Sequence, residues 1–265
     1  MRLKIAPYIF LLVFSTLIYS SCEDIIDVDL NDAAPRLVIE GNINNKTDTQ
    51  GVWISTSAAI GSLNVFPGVS GATVAVTDNR GAEFIFRERA PGIYSSRRLR
   101  GQPGTTYTLK VTYNGNIYSA TSTMPQAVSI DSLGFNTTKV FNNERKSIQL
   151  LFRDPAGVKN YYRFVLSVNG IKSNSIFVFD DDFNDGNKVT RELFDFDVDL
   201  ESGDKANIEM QCIDQPVFKY WEGLSQNRNR GGASTTPANP VSNISNGALG
   251  YFSARTEQKE IVSIP

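Results

Sequence analysis

Short apolar-polar alternations, cut at close intervals by turn residues, run through most of the chain and leave little room for helices. The clearest lies at Thr106 to Tyr113, where Tyr107, Leu109, Val111 and Tyr113 occupy alternate positions. A period of two puts those four side chains on one face of a strand. Asn114-Gly115 comes next, and a second alternating run from Asn116 to Thr123 follows it. Asn-Gly accepts the two positive φ angles of a type I′ turn, so the pair predicts a hairpin. Strand candidates precede it at Arg36 to Ile43, Gly51 to Ser57, Ala72 to Thr77, Glu83 to Arg87 and Gly92 to Ser96. Asp78-Asn79-Arg80-Gly81, Pro91-Gly92 and Pro103-Gly104 punctuate them. Strands at a spacing of about 8–12 residues argue for two sheets packed face to face. Residues 36–125 are therefore expected to form a β-sandwich.

Met124-Pro125 closes that block, and residues 126–265 read as a second, mostly-β domain. Its strand candidates are Val128 to Phe135, Ser147 to Phe152, Tyr161 to Val168, Ser175 to Phe179, Leu193 to Leu200, Ala206 to Ile213, Leu249 to Ala254 and Glu260 to Ile264. Asn169-Gly170 supplies another hairpin turn. One helix is predicted near residues 215–227. Pro216 suits a first helical turn, and Val217, Phe218, Trp221 and Leu224 fall on one face. From Asn227 to Ile244 the chain is polar and rich in Gly, Pro, Ser and Asn, long for a connection without structure of its own and a candidate contact surface.

The chemistry open to such a fold is narrowed by what is missing. There is no histidine, which removes imidazole bases, histidine-ligated zinc and Ser-His or Cys-His relays. Two cysteines cannot build a four-cysteine zinc site or a disulfide framework. Cys212 shares a strand face with Ile208 and Met210 and reads as a buried structural thiol. With 26 Lys+Arg against 28 Asp+Glu there is no excess of basic charge to attract nucleic acid. No G-x-S-x-G nucleophile motif occurs, no pair of carboxylates stands out as acid and base, and no catalytic residue is assigned.

Asp180-Asp181-Asp182-Phe183-Asn184-Asp185-Gly186 is the densest oxygen cluster. Asp180, Asp182 and Asn184 have the alternate spacing of a calcium loop. Asp185 stands where such a loop needs glycine, and Arg191 where it needs a bidentate glutamate, so the alternatives are a looser Ca²⁺ site on those three residues and a solvated acidic turn. Asp195, Asp197 and Asp199 would share one wet face of a strand. Trp53, Trp221, Tyr161, Tyr162 and Tyr251 could form an aromatic platform for a ligand, but both tryptophans sit in apolar-patterned elements, and core packing is the expectation for them.

Arg2 and Lys4 precede an uncharged stretch from Ile5 to Cys22, and Glu23, Asp24 and Asp27 follow it. Ser20-Ser21-Cys22 resembles a bacterial lipobox, with Tyr19 where an aliphatic residue is usual. That resemblance implies a signal peptide over residues 1–21, an acylated Cys22 held in outer-membrane lipid, and an acidic tether over residues 22–35; the alternative is an uncleaved transmembrane anchor over residues 5–21. Several acyl chains, at about 0.8 kcal/mol per buried methylene, anchor a protein durably. Glu23-Asp24 resembles the signal that sends lipoproteins of Bacteroides-type bacteria to the outer face of the outer membrane.

Gly71-Ala72-Thr73-Val74, Gly92-Ile93-Tyr94 and Gly104 through Leu109 resemble the Ig-like transthyretin or carboxypeptidase regulatory-like modules of envelope proteins. Together with Pro35-Arg36-Leu37-Val38-Ile39-Glu40-Gly41, Ile130-Asp131-Ser132-Leu133, Pro237 to Ile244 and Gly247 to Ala254, the chain resembles a domain-of-unknown-function family of Bacteroides-type lipoproteins. Members are often encoded beside TonB-dependent receptors. The resemblance implies a lipid-anchored, surface-exposed and non-enzymatic accessory or ligand-capture protein for such a receptor, with no cofactor. The rivals are a structural or adhesive envelope lipoprotein and a carboxylate-based hydrolase using Ca²⁺.

Overall fold

The Asn114-Gly115 hairpin forms as the sequence predicts, with φ of 48° and 75° at its two turn residues, and Asn169-Gly170 repeats the geometry at 50° and 81°. The structure, a computed structural model, describes residues 35–58, 66–140, 143–195, 197–229 and 239–265. Cys22, the acidic tether before Pro35 and residues 230–238 of the polar connection lie outside the described residues.

In chain order the strands are β1 (Leu37–Asn44), β2 (Gln50–Thr56), β3 (Thr73–Asp78), β4 (Glu83–Ala90), β5 (Ile93–Ser96), β6 (Thr106–Tyr113), β7 (Asn116–Thr123), β8 (Ile130–Val140), β9 (Asn143–Arg153), β10 (Tyr161–Val168), β11 (Ile171–Lys172), β12 (Phe177–Asp180), β13 (Lys188–Leu193) and β14 (Lys205–Ile213). Helix α1 (Gln215–Asn229) and β15 (Leu249–Ser263) complete the described elements. The fold is mostly β with one helix among the described residues, as the turn spacing requires.

One sheet runs β11-β10-β14-β15-β1-β2-β5-β4-β3-β6-β7, with β12 also paired to β10. It bends at β4, whose first residues pair with β3 and whose later ones pair with β5 across a bulge between Glu88 and Ala90. The bend folds the sheet over a first core, in which Ile39, Ile43, Val52, Ile54, Leu109, Val111 and Phe252 are fully or almost fully buried. On β1 and β6 these residues alternate with less buried neighbours that face the other way, the half-buried strand pattern of the sequence. A separate sheet, β13-β9-β8, lies over a second core. Ile148, Leu150 and Phe152 of β9 meet Phe164 and Leu166 of β10 and Ile208 and Met210 of β14 there. Cys212 is buried among them, where loss of solvent pushes its thiol up.

The fifteen residues of β15 replace the two shorter strands expected at 249–254 and 260–264. Leu249 to Arg255 pair in parallel with β1, and Thr256 to Ser263 pair antiparallel with β14. One strand therefore belongs to both cores, although a division at residue 125 puts it wholly in the second block. The charged run Arg255 to Glu260 reads as a break in sequence, yet it continues the strand because Glu209 on β14 meets both Arg255 and Lys259. Backbone groups of β15 left without a strand partner are met by side chains. Asn243 accepts from the Phe252 amide at 2.9 Å and donates to its carbonyl at 2.8 Å, while Ser122 accepts from the Ala254 amide at 2.8 Å.

The strand expected at 193–200 does not form: β13 ends at Leu193. Asp195 is buried and does not lie on a wet face. It accepts from the hydroxyls of Ser173 and Ser175 and from the Asp197 amide, and these donors draw the chain out of a regular ladder. Helix α1 starts where Pro216 predicts, with Asp214 as its N-cap. The other oxygen of Asp214 accepts from the Thr123 amide at 3.0 Å, tying the helix start to the end of β7.

Gly250 holds β15 against β1. Its φ is +93°, and a Cβ there would stand 2.1 Å from the Ile39 carbonyl oxygen. Gly203 has nearly the same φ, +94°, with nothing within 4 Å of such a Cβ. Gly203→Ala is therefore expected to cost only backbone strain, about 1 kcal/mol, and Gly250→Ala about 3 kcal/mol or more. Urea unfolding of the two variants, followed by circular dichroism, checks the difference.

Candidate functional site

The alternation that buries Ile39, Gly41 and Ile43 sends Glu40 and Asn42 to the outer face of β1. Register carries that face across the sheet. Glu40 is paired with Trp53 on β2 and Tyr251 on β15, and Arg163 on β10 is paired with Gln211 on β14. Helix α1 rises beside this face and lays Trp221 near Tyr251, with ring centroids 5.1 Å apart. Between sheet and helix lies a cleft of about 550 Å³, within the usual range for small-ligand sites.

Both tryptophans of the chain line this cleft. Trp53 is 45% exposed, so core packing, the expectation for it, does not describe it. Its neighbours Val52 and Ile54 point into the first core, and alternation forces Trp53 outward. Tyr251 joins the two tryptophans, whereas Tyr162 is buried in the second core and Tyr161 packs on Phe218 of α1.

The charges in and beside the cleft divide into two groups. Arg255, Glu209, Glu257 and Lys259 neutralise one another: Arg255 lies 3.3 Å from Glu257, and Lys259 lies 3.3 Å from Glu209 and 3.7 Å from Glu257. Burial pushes Glu209 up, but Gln211, Arg255 and Lys259 together hold its carboxyl below the ordinary value. Burial and the neighbouring Glu209 raise Glu257.

Arg163, Lys172 and Glu40 form the other group, and no ion pair reaches them among the described residues. The Arg163 guanidinium stacks 3.8 Å from the centre of the Trp221 ring and donates to the neutral amide oxygen of Gln211 at 2.9 Å. Burial pushes it down to about 10. Burial also lowers Lys172, with Arg163 and Arg255 adding repulsion against the attraction of Glu209 and Glu40, and burial raises Glu40 against the attraction of Lys172.

A second cavity of about 380 Å³ adjoins the first and shares Glu40 with it. Its walls are mostly apolar: Val38, Phe66, Tyr220, Leu224, Pro240 and Leu249. No catalytic or binding motif marks the charged cleft residues. The signals in the sequence are Glu40 in the run Pro35 to Gly41 and an arginine inside the apolar strand Tyr161-Tyr162-Arg163-Phe164.

The acidic turn is arranged differently from a calcium loop. Lys159 pairs with Asp182 and, at 2.5 Å, with Asp181. Asp180 accepts from the Asp182 amide at 3.4 Å, and the Asn184 amide donates to the Asp181 carbonyl. The carboxylates that come within 4.8 Å of one another are those of Asp154, Asp181 and Asp185. Tyr162 donates to Asp154, the Asn160 amide to Asp181, and the Gly157 amide to Asp185. Calcium needs six to eight oxygens free to turn toward it. Here the Lys159 ammonium serves as counter-ion to Asp181 and Asp182, and each clustered carboxylate accepts an internal hydrogen bond.

A family model described as "Domain of unknown function (DUF4249)" matches residues 23–261. No curated protein matches the chain. Among solved structures, a crystal structure of a tetra-tandem repeat in the extending region of a large adhesion protein is similar at 13% identity and a TM-score of 0.23. The match covers 87% of this chain and 49% of that one, so this chain spans about half its length.

Glu40 carries a testable consequence. A carboxyl raised by burial destabilises the fold wherever it is ionised in both folded and unfolded states, and the cost disappears once both are protonated. Glu40→Gln is expected to raise the melting temperature at pH 7 by no more than about 2 °C, and the gain is expected to vanish near pH 3.5, below the ordinary glutamate value of about 4.3. Thermal unfolding at both pH values checks it.

Proposed function

The chain belongs to the domain-of-unknown-function family DUF4249, and on that premise we propose that it is a surface-exposed, lipid-anchored lipoprotein of the outer membrane that captures a small ligand for a TonB-dependent receptor. The observation that carries the reading is the cleft between α1 and the outer face of β1, β15, β14 and β10. Exposed aromatic surface and unpaired charge stand together there in a cavity of ligand size. Binding is the whole of the mechanism: the cleft holds its cargo and no bond is made or broken.

An anchor at Cys22 would give the reading its route to the receptor. Acylated Cys22 would confine the protein to a plane, and the residues between it and β1 would act as a short leash. Confinement turns a weak encounter with a receptor into one at high effective concentration, without any added contact.

The test is a cross-linking pull-down of the native lipoprotein from its own outer membrane, scored with surface protease accessibility on the same cells. An accessible protein cross-linked to one TonB-dependent receptor is the expected result. Cys22→Ala is expected to lower that cross-link by about tenfold or more. The Trp53→Ala, Trp221→Ala double variant is expected to keep the cross-link and lose ligand-dependent growth. An accessible, anchored protein that cross-links to no receptor would overturn the proposal in favour of an adhesive or structural role.

A further inference from the structure

In the outer-face cleft Glu40, Arg163 and Lys172 stand outside the ion-pair network that joins Arg255, Glu209, Glu257 and Lys259 beside it. Glu40 stands where the two cavities meet. Arg163 and Lys172 line the charged cavity with it, and neither forms an ion pair among the described residues. Arg163, the most buried of the three, costs the fold free energy for want of an ion-pair partner, while Glu40 and Lys172 are more exposed and attract each other only at longer range. Such a cost in a ligand-sized cavity is relieved by a ligand that brings the missing counter-charges.

The two signs narrow the choice. An anion alone would answer Arg163 and Lys172 and place a second negative charge near Glu40. A cation alone would answer Glu40 and leave the guanidinium. A neutral saccharide would bring no counter-charge to any of the three, and the adjoining cavity, where Ser55, Ser57 and Asn239 stand among Val38, Phe66, Leu224, Pro240 and Leu249, offers it few polar partners. A ligand with an ammonium, a carboxylate and an apolar group answers every part of the cleft.

We propose that the cleft takes an α-amino-acid zwitterion with an apolar side chain, free or as a short peptide. The ammonium sits at Glu40, the carboxylate at Arg163 and Lys172, and the side chain in the cavity walled by Phe66, Leu224 and Pro240. Arg163 is held for this role by the Trp221 ring behind it and by Gln211, a neutral acceptor that fixes the guanidinium without neutralising it. The neighbouring Arg255 is unlike it, because Glu257 already satisfies its charge. Burial raises Glu40 and lowers Lys172, the directions expected of charges waiting for a counter-ion. This inference rests on the ligand-capture reading of the same cleft and adds the chemistry of the cargo.

The test is isothermal titration calorimetry on the detergent-purified full-length lipoprotein. The probes are leucine, dileucine and trileucine, each free, N-acetylated and C-amidated. At least one free probe is expected to bind, and the three chain lengths separate a free amino acid from a peptide. Acetylating or amidating that probe is expected to weaken it about tenfold or more, the loss of one charge-assisted contact. Glu40→Gln is expected to erase the acetylation penalty and Lys172→Met to reduce the amidation penalty. Since Glu40→Gln is expected to unfold no earlier than the natural protein, loss of binding there is not loss of fold. Absence of binding by every probe at millimolar concentration, or equal binding of capped and free forms, overturns the zwitterion. If the receptor cross-link persists in either case, ligand capture stands without it. If capping-sensitive binding is found and no receptor is cross-linked, the zwitterion stands and the receptor reading falls.

Discussion

Strand β15 can satisfy its backbone only by changing partners part of the way along, and the arrangement of the whole molecule follows from that. Buried amides and carbonyls need hydrogen bonds over their full length. The first half of β15 finds them on β1 and the second half on β14, with the exchange at Arg255 and Thr256. Where neither strand reaches, Asn243 and Ser122 supply side-chain substitutes. Phe252 and Ala254 thereby enter the first core, and Ile264, just past the strand, enters the second.

The same stagger makes the cleft. Because β15 is flanked by β1 at one end and β14 at the other, their outward side chains converge on a single face that neither block would possess alone. Glu40 and Asn42 come from one side, Arg163, Glu209 and Gln211 from the other, and Tyr251 and Arg255 from the shared strand. Asn42 bonds to both Tyr251 and Arg255, which ties the β1 side of the floor to the shared strand. Helix α1, capped by Asp214, then adds the wall that turns a face into a cavity.

Local chemistry was legible and long-range pairing was not. The hairpins at Asn114-Gly115 and Asn169-Gly170, the sandwich pattern of Tyr107, Leu109 and Val111, and the start of α1 at Pro216 depend on neighbours a few residues away. Merging the last two expected strands into β15 depends on Glu209, some fifty residues earlier, meeting Arg255 and Lys259. Asp195 shows the converse, since three equally spaced aspartates suggest a wet strand face until the Ser173 and Ser175 hydroxyls are seen beside them. Trp53 was readable in principle, because the alternation that buries Val52 and Ile54 already turns it outward. Residue type argued for the core and geometry argued against it. Among the described charges, the ones left unpaired in the cleft could not be separated by sequence from those that are paired, because pairing is a property of register.

Pairing β1 with β15 joins positions about 210 residues apart, Val38 with Leu249 among them. Contacts so distant in sequence form late and slowly. At a synthesis rate of about 5–20 residues per second, β1 waits on the order of ten to forty seconds before its partner exists. Through that interval the first sandwich lacks Phe252 and Ala254 and stays open along the edge that β15 will fill. A chain built this way has a delay written into its topology, because its first core cannot close until its last strand exists.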